Sequence, residues 1–119
     1  MAEVSAELLD VLERIERLHP VWVEEIYYGI HRLHFTNHDG IRINITWYST
    51  EGEHFFLITI DQAYDDGSEP VRIYCGGFSD YDPRRPSDYS HLLQYTNRVY
   101  DAKRDKNKEQ EAREKFFGK

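Results

Sequence analysis

The segment "IRINITWYS" occupies residues 41–49 and shows the most regular alternation of apolar and polar side chains in the chain. Its apolar positions are Ile41, Ile43, Ile45 and Trp47. Because successive side chains of a β-strand point to opposite faces of the sheet, this spacing predicts a strand with one buried face. A sheet that buries only one face needs a second layer to cover that face.

Three further strands are predicted around this segment, over residues 26–35, 54–61 and 71–77. The first of them is joined to residues 41–49 through Asp39-Gly40, a dipeptide that favours tight β-turns. The other connections are also short and polar. Short connections join neighbouring antiparallel strands, so the sequence predicts a four-stranded antiparallel β-meander.

One helix is predicted before the strands and one after them. Residues 4–18 place apolar side chains at three- and four-residue spacing, with Ser5 as the N-cap and Pro20 as the stop signal. A second helix is predicted to begin near Ser87, after Pro86. The fold class is therefore α+β, with an N-terminal helix, a four-stranded antiparallel β-meander and a long C-terminal helix that cover one face of the sheet.

The apolar stripe of the second helix ends near Ala102. We therefore predict one domain over residues 1–102 and a charged extension, helical or frayed, over residues 103–119. Phe116 and Phe117 lie at the end of this polar extension and are candidates for partner binding or self-association. An open strand edge and a long terminal helix also predict a homodimer.

The chain carries a net charge of −7 that is unevenly distributed. Residues 1–82 hold 16 acidic and 5 basic residues, a net of −11, and residues 83–119 hold 6 acidic and 10 basic residues, a net of +4. An acidic body repels phosphates, so we expect no direct contact with nucleic acid, and a protein partner with a basic surface. No apolar run is long enough to cross a bilayer, so no membrane partner is expected.

Cys75 is the only cysteine, and the N-terminus lacks the features of a secretory signal. Both observations favour a cytoplasmic location, and a lone thiol is most often a small buried hydrophobe. The histidines near the first hairpin do not form a zinc motif, because His31 and His34 would point to opposite faces of a strand. The sequence contains no GxSxG, HExxH, CxxC or P-loop motif. We expect no catalytic residues, no metal and no cofactor.

The stretch "YDPRRPSDY", residues 81–89, lies where the acidic body meets the basic tail. A helix N-terminus and two arginines suit an anion, and tyrosines suit either a stacked base or a protein contact. The candidate ligand- or partner-binding residues are Tyr74, Tyr81, Arg84, Arg85 and Tyr89. The alternative is a connector stiffened by prolines, in which the neighbouring aspartates neutralise the arginines.

Three functions are compatible with these features. The first is a non-enzymatic, small acidic interaction protein that binds or inhibits another macromolecule, of the kind found among viral or mobile-element accessory proteins. The second is a small-ligand module that holds an anionic metabolite or nucleotide through Arg84, Arg85 and the nearby tyrosines. The third is a hydrolase or nuclease that uses histidine and aspartate. The absence of catalytic motifs favours the first.

Overall fold

The computed structural model describes residues 4–82 and 86–118, which form two helices and five strands. The elements are α1 (Ala6–Arg17), β1 (Val23–Tyr27), β2 (Ile30–Thr36), β3 (Ile41–Thr50), β4 (Glu53–Gln62), β5 (Val71–Ser79) and α2 (Pro86–Phe117). The strands form one sheet in the order β1-β2-β3-β4-β5, and each neighbouring pair is antiparallel. The predicted α+β class, with its meander and its two flanking helices, is confirmed.

The sheet has five strands where the sequence predicted four, because residues 26–35 are not one strand. Tyr28 and Gly29 form a two-residue turn between β1 and β2, and Tyr27 pairs with Ile30 across it. Both turn residues have positive φ, 50° and 77°, as a type I′ turn requires. Such a turn usually contains asparagine or aspartate before glycine, so the tyrosine concealed it in the sequence.

The core lies between the helices and one face of the sheet, which we call the inner face. The register aligns Leu33, Ile45 and Ile58 across three neighbouring strands, and all three side chains are buried. The helices contribute further fully buried side chains to the same cluster, namely Leu8, Ile15 and Leu92. In the described part of the chain no element covers the outer face, so α1 and α2 form a single layer over the inner face.

The two helices are joined at their N-terminal ends by a buried carboxylate. Ser5 caps α1, its Oγ accepting from the backbone N–H of Leu8 at 3.3 Å. The backbone N–H of Ser5 in turn donates to Oδ1 of Asp88 at 2.7 Å, and Asp88 is only 1% exposed. Asp88 lies in the first turn of α2, where the partial positive charges of both helix N-termini stabilise a carboxylate. This contact fixes the start of α1 beside the start of α2.

We expect Asp88→Ala to lower the free energy of unfolding by about 1–3 kcal/mol, because the N–H of Ser5 loses its acceptor in a partly buried position. Urea denaturation followed by circular dichroism measures the change. Asp101→Ala is the matched control in the same helix, since Asp101 pairs with Arg104 on the exposed surface. It should change stability by no more than about 0.5 kcal/mol. Equal losses in both variants would contradict the role of Asp88.

The Tyr28-Gly29 turn predicts that Gly29→Ala costs about 1 kcal/mol of stability, because alanine disfavours the left-handed backbone found there. Gly77→Ala is the control. At both positions no atom lies within 4 Å of an added Cβ, but only Gly29 has a positive φ. A difference between their urea midpoints therefore isolates the backbone conformation. If Gly29→Ala proved as stable as Gly77→Ala, the type I′ turn would be excluded.

Candidate functional site

Large apolar side chains are exposed along β1 and the turn that follows it. Val23 and Ile26 are 49% and 58% exposed, and Tyr28 is fully exposed. β1 is an outermost strand, and no other strand among the described residues pairs with its free side. We call this region, residues 23–28, the β1 edge. It combines free backbone hydrogen-bonding groups with apolar side chains on both faces of the sheet.

The two acids of the β1 edge lie in different surroundings. Glu24 pairs with Leu33 in the register and therefore lies on the inner face. There it is close to Tyr100 of α2: burial raises the pKa of Tyr100, and the charge of Glu24 raises it further. Glu24 has no hydrogen bond or ion pair within residues 4–82 and 86–118 that would neutralise it. Its negative charge is thus available to a partner.

Glu25 points to the outer face, where β2 neutralises it. Arg32 donates from Nη2 to Glu25 Oε2, and His34 Nε2 lies 2.8 Å from Glu25 Oε1. The hydrogen bond from Arg32 is the main reason that the pKa of Glu25 lies below its ordinary value of 4.5. Nε of Arg32 is buried and has no hydrogen-bond partner among the described residues. This cluster orders the outer side of the β1 edge.

An aromatic group lies beside the β1 edge on the inner face. His31, the register partner of Ile26, packs edge-on against Trp47 with ring centroids 5.4 Å apart. His54 stacks on the same indole at 5.5 Å. A pocket of about 210 Å³ opens between these strands and α2, with Leu93 and Tyr100 in its wall. His31 lines this pocket and is the register partner of exposed Ile26.

The three tyrosines predicted as binding residues have different environments. Tyr89 is buried in the core; its hydroxyl accepts a hydrogen bond from Trp47 Nε1 at 3.0 Å, and its ring lies 5.2 Å from that of Phe56. Tyr74 is half-buried against the core, and only Tyr81 is strongly exposed. Tyr89 therefore serves packing rather than an exposed surface.

Arg84 and Arg85 lie outside the described residues, so the structure gives no geometry for the predicted anion site. Phe116 and Phe117 lie at the end of α2 and are 82% and 80% exposed, with their rings in mutual edge-on contact at 4.9 Å.

The predicted separation of His31 and His34 is confirmed, since the register places them on opposite faces of β2. Within the described ranges, no group of three or more histidine, cysteine or acidic side chains is placed to hold a metal ion. Cys75, expected to be buried, is exposed on β5 because its side chain points to the outer face. In the same part of the chain, no helix has the length and apolar character needed to cross a membrane.

Comparison with known proteins gives no relative: no protein family, no curated protein and no solved structure matches the chain.

Sequence reasoning missed the β1 edge because it merged β1 and β2 into one strand. The signal that could have revealed it is the pattern "VEEIYYGIHRL", residues 23–33, with Gly29 near its centre and apolar residues on both sides. The contact of His31 with Trp47 was also missed. This contact follows from the pairing of β2 with β3, in which His31 lies opposite Trp47. That pairing can be deduced only after the turn at Tyr28 and Gly29 has been located.

The pKa of Glu25 predicts a pH-dependent contribution to stability. A carboxylate whose pKa is lowered by folding stabilises the fold above its unfolded pKa, near 4.5, and this contribution is lost as the pH falls through the folded value. We therefore expect Glu25→Gln to be less stable than the wild type at pH 7, with the difference shrinking near pH 3. Urea midpoints at both pH values provide the measurement.

Glu51→Gln serves as the control for this experiment, because Glu51 is exposed and no ion pair to it is found in the described part of the chain. Its difference from the wild type should be small and equal at both pH values. A Glu25→Gln difference that does not change with pH would show that the Arg32 pair contributes nothing.

Proposed function

We propose that this protein is a non-enzymatic binding module that holds an extended, basic segment of another protein along the β1 edge. The observation that supports this most directly is the exposure of large apolar side chains on an unpaired edge strand. Monomeric proteins usually protect such edges, because free backbone groups invite pairing with another chain. A peptide that adds a strand gains backbone hydrogen bonds at the edge and side-chain contacts on both faces.

The charge of the β1 edge favours a basic partner over a second copy of the same chain. Antiparallel pairing of β1 with itself would bring Glu24 and Glu25 close to the same two acids, and like charges at opposed positions are destabilising. Lysine or arginine in the incoming strand would instead face Glu24. The net charge of −11 over residues 1–82 would also speed the encounter with a basic protein.

The inner face beside the β1 edge supplies a place for an anchoring side chain. A partner strand paired with β1 would carry alternate side chains over the inner face, next to Ile26. Interfaces commonly gain most of their affinity from one or two such buried anchors. The binding mode we propose is therefore strand addition, with an apolar anchor against Ile26 on the inner face and basic residues beside Glu24.

The alternative, a small-ligand module for an anionic metabolite or nucleotide, remains a hypothesis from the sequence. It depends on Arg84 and Arg85, which lie outside the described residues, and it loses one of its expected aromatic contacts because Tyr89 is buried.

The proposal predicts that Val23→Ser with Ile26→Ser weakens partner binding by roughly tenfold or more. The partner is recovered with the tagged wild-type protein from the cells that produce it, and its affinity is then measured by isothermal titration calorimetry. Glu24→Lys should also weaken binding and should reduce its dependence on salt, because it removes the attraction between opposite charges.

The opposite edge of the sheet offers a matched control. Val71 and Ile73 on β5 are 52% and 57% exposed, so Val71→Ser with Ile73→Ser removes the same kind of surface from the other edge strand. This variant should bind the partner as tightly as the wild type. Loss of binding in the β5 variant, with retention in the β1 variant, would refute the assignment of the β1 edge.

A further inference from the structure

A second apolar surface lies on the helical layer, next to the connection that leads into β1. It is an open groove of about 760 Å³ between α1, this connection and α2. Leu9 and Val21 are exposed along it, and Val99 and Ala102 line its α2 side. We call this the α1/α2 groove. It is large enough to receive two aromatic side chains.

The charges around the α1/α2 groove are not balanced. On the α1 side, Glu13 pairs with Arg17, and Glu16 accepts a hydrogen bond from the hydroxyl of Tyr95. On the α2 side, two bases have no hydrogen bond or ion pair in the described part of the chain, namely Arg98 and Lys106. The groove therefore favours an occupant that is apolar in part and carries acids.

The C-terminal part of α2 supplies aromatic side chains for such an occupant. Residues 104–117 are exposed. They include four acids, Asp105, Glu109, Glu111 and Glu114, beside five bases, and they end in the exposed rings of Phe116 and Phe117. The radius of gyration, 16.7 Å, exceeds the value of about 13.5 Å expected for a compact chain of this length, as a projecting helix requires.

The projecting part of α2 gains little stability from packing. It continues a helix of 32 residues, but most helix stability in proteins comes from packing of an apolar face. Residues 104–117 have surface ion pairs, such as Arg113 with Glu109, and such pairs contribute little. Their only large apolar side chains are the two exposed phenylalanines.

We propose that the α1/α2 groove is occupied by the C-terminal end of α2 from a second copy of the chain. Phe116 and Phe117 would lie on the apolar floor beside Val99, and each copy would both give its helix end and receive that of the other. The result is a closed dimer with two-fold symmetry, in which the same surface is used twice.

The length of α2 is consistent with this exchange. Val99 and Phe116 are 17 residues apart, which corresponds to about 26 Å along a helix. Two antiparallel copies of α2 that place each Phe116 beside the other Val99 cross midway between these residues, near Asn107 and Lys108. The same register brings Lys106 level with Glu109 of the second copy, and this pairing of opposite charges occurs twice.

This dimer and the proposed partner binding depend on different residues, so separate variants test them. Sedimentation equilibrium of the full chain at several concentrations measures the mass. We expect the wild type to reach twice the chain mass of 14.2 kDa. Phe116→Ser with Phe117→Ser should raise the dissociation constant at least tenfold. Ala102→Glu, which places an acid and extra bulk in the groove, should do the same.

Two control variants should leave the dimer unchanged. Ala6→Glu makes the same substitution at an exposed helical position outside the groove, and Tyr28→Ser removes an exposed aromatic ring elsewhere. Circular dichroism checks that each variant is folded, and it should show helix content rising with concentration in the wild type. Val23→Ser with Ile26→Ser should also keep the dimer mass, which separates this test from that of the β1 edge.

Charge exchange tests the register. Lys106→Glu and Glu109→Lys should each weaken the dimer, because each places like charges opposite one another. The double variant should restore the dimer, because the introduced glutamate of one copy would then face the introduced lysine of the other. Mixing the Phe116/Phe117 variant with the Ala102→Glu variant should yield a weak heterodimer. The first variant keeps an intact groove, and the second keeps an intact helix end to fill it.

A monomeric wild type at all concentrations would overturn the proposal, as would a dimer unaffected by loss of both phenylalanines. Masses above the dimer, or a charge exchange that fails to restore association, would overturn the two-fold arrangement. Dodecanoate, an acidic amphiphile, can be added as a competitor for the groove. A shift of the wild-type mass from dimer to monomer would support the groove as the site of contact.

Discussion

Burial of only one face of the sheet is the constraint on which the arrangement of the other elements depends. The alternating residues of β3 and β4 put Ile43, Ile45 and Ile58 on the inner face, so both helices must pack there to remove them from water. Two helices on one face cannot cover five strands completely. The inner face near β1 is left partly open as a result, and the outer face has no helical cover in the described part of the chain.

The helical layer is positioned by polar contacts as well as by the core. Asp88 brings the N-terminal ends of α1 and α2 together, and Tyr95 hydrogen-bonds to Glu16 further along the same pair. Beyond Lys103, which donates to the backbone oxygen of Trp22 at 2.8 Å, α2 passes the edge of the body. Of the two surfaces we propose for binding, the β1 edge lies where the helical layer ends, and the α1/α2 groove lies between the two helices.

Much of the fold was predictable because its signals are local. The apolar stripe of residues 4–18, the cap at Ser5 and the alternation of residues 41–49 each depend on near neighbours in the chain. The division between β1 and β2 has a weaker local signal, because Gly29 follows a tyrosine instead of the usual asparagine or aspartate. Tyr28 adopts a left-handed conformation that its side chain disfavours, and the hairpin compensates for this through the pairing of β1 with β2. The candidate site was missed with it.

The sequence by itself determined the class of fold, the capped start of α1 and the acidic body, because periodicity, capping residues and charge are properties of short segments. Only the tertiary structure decided which aromatic residues are accessible. Tyr89 and Tyr81 lie in the same nine-residue stretch, "YDPRRPSDY", yet the first is buried against Phe56 and the second is exposed. The physical reason is that burial depends on what packs across the gap between layers, and that neighbour is distant in the chain.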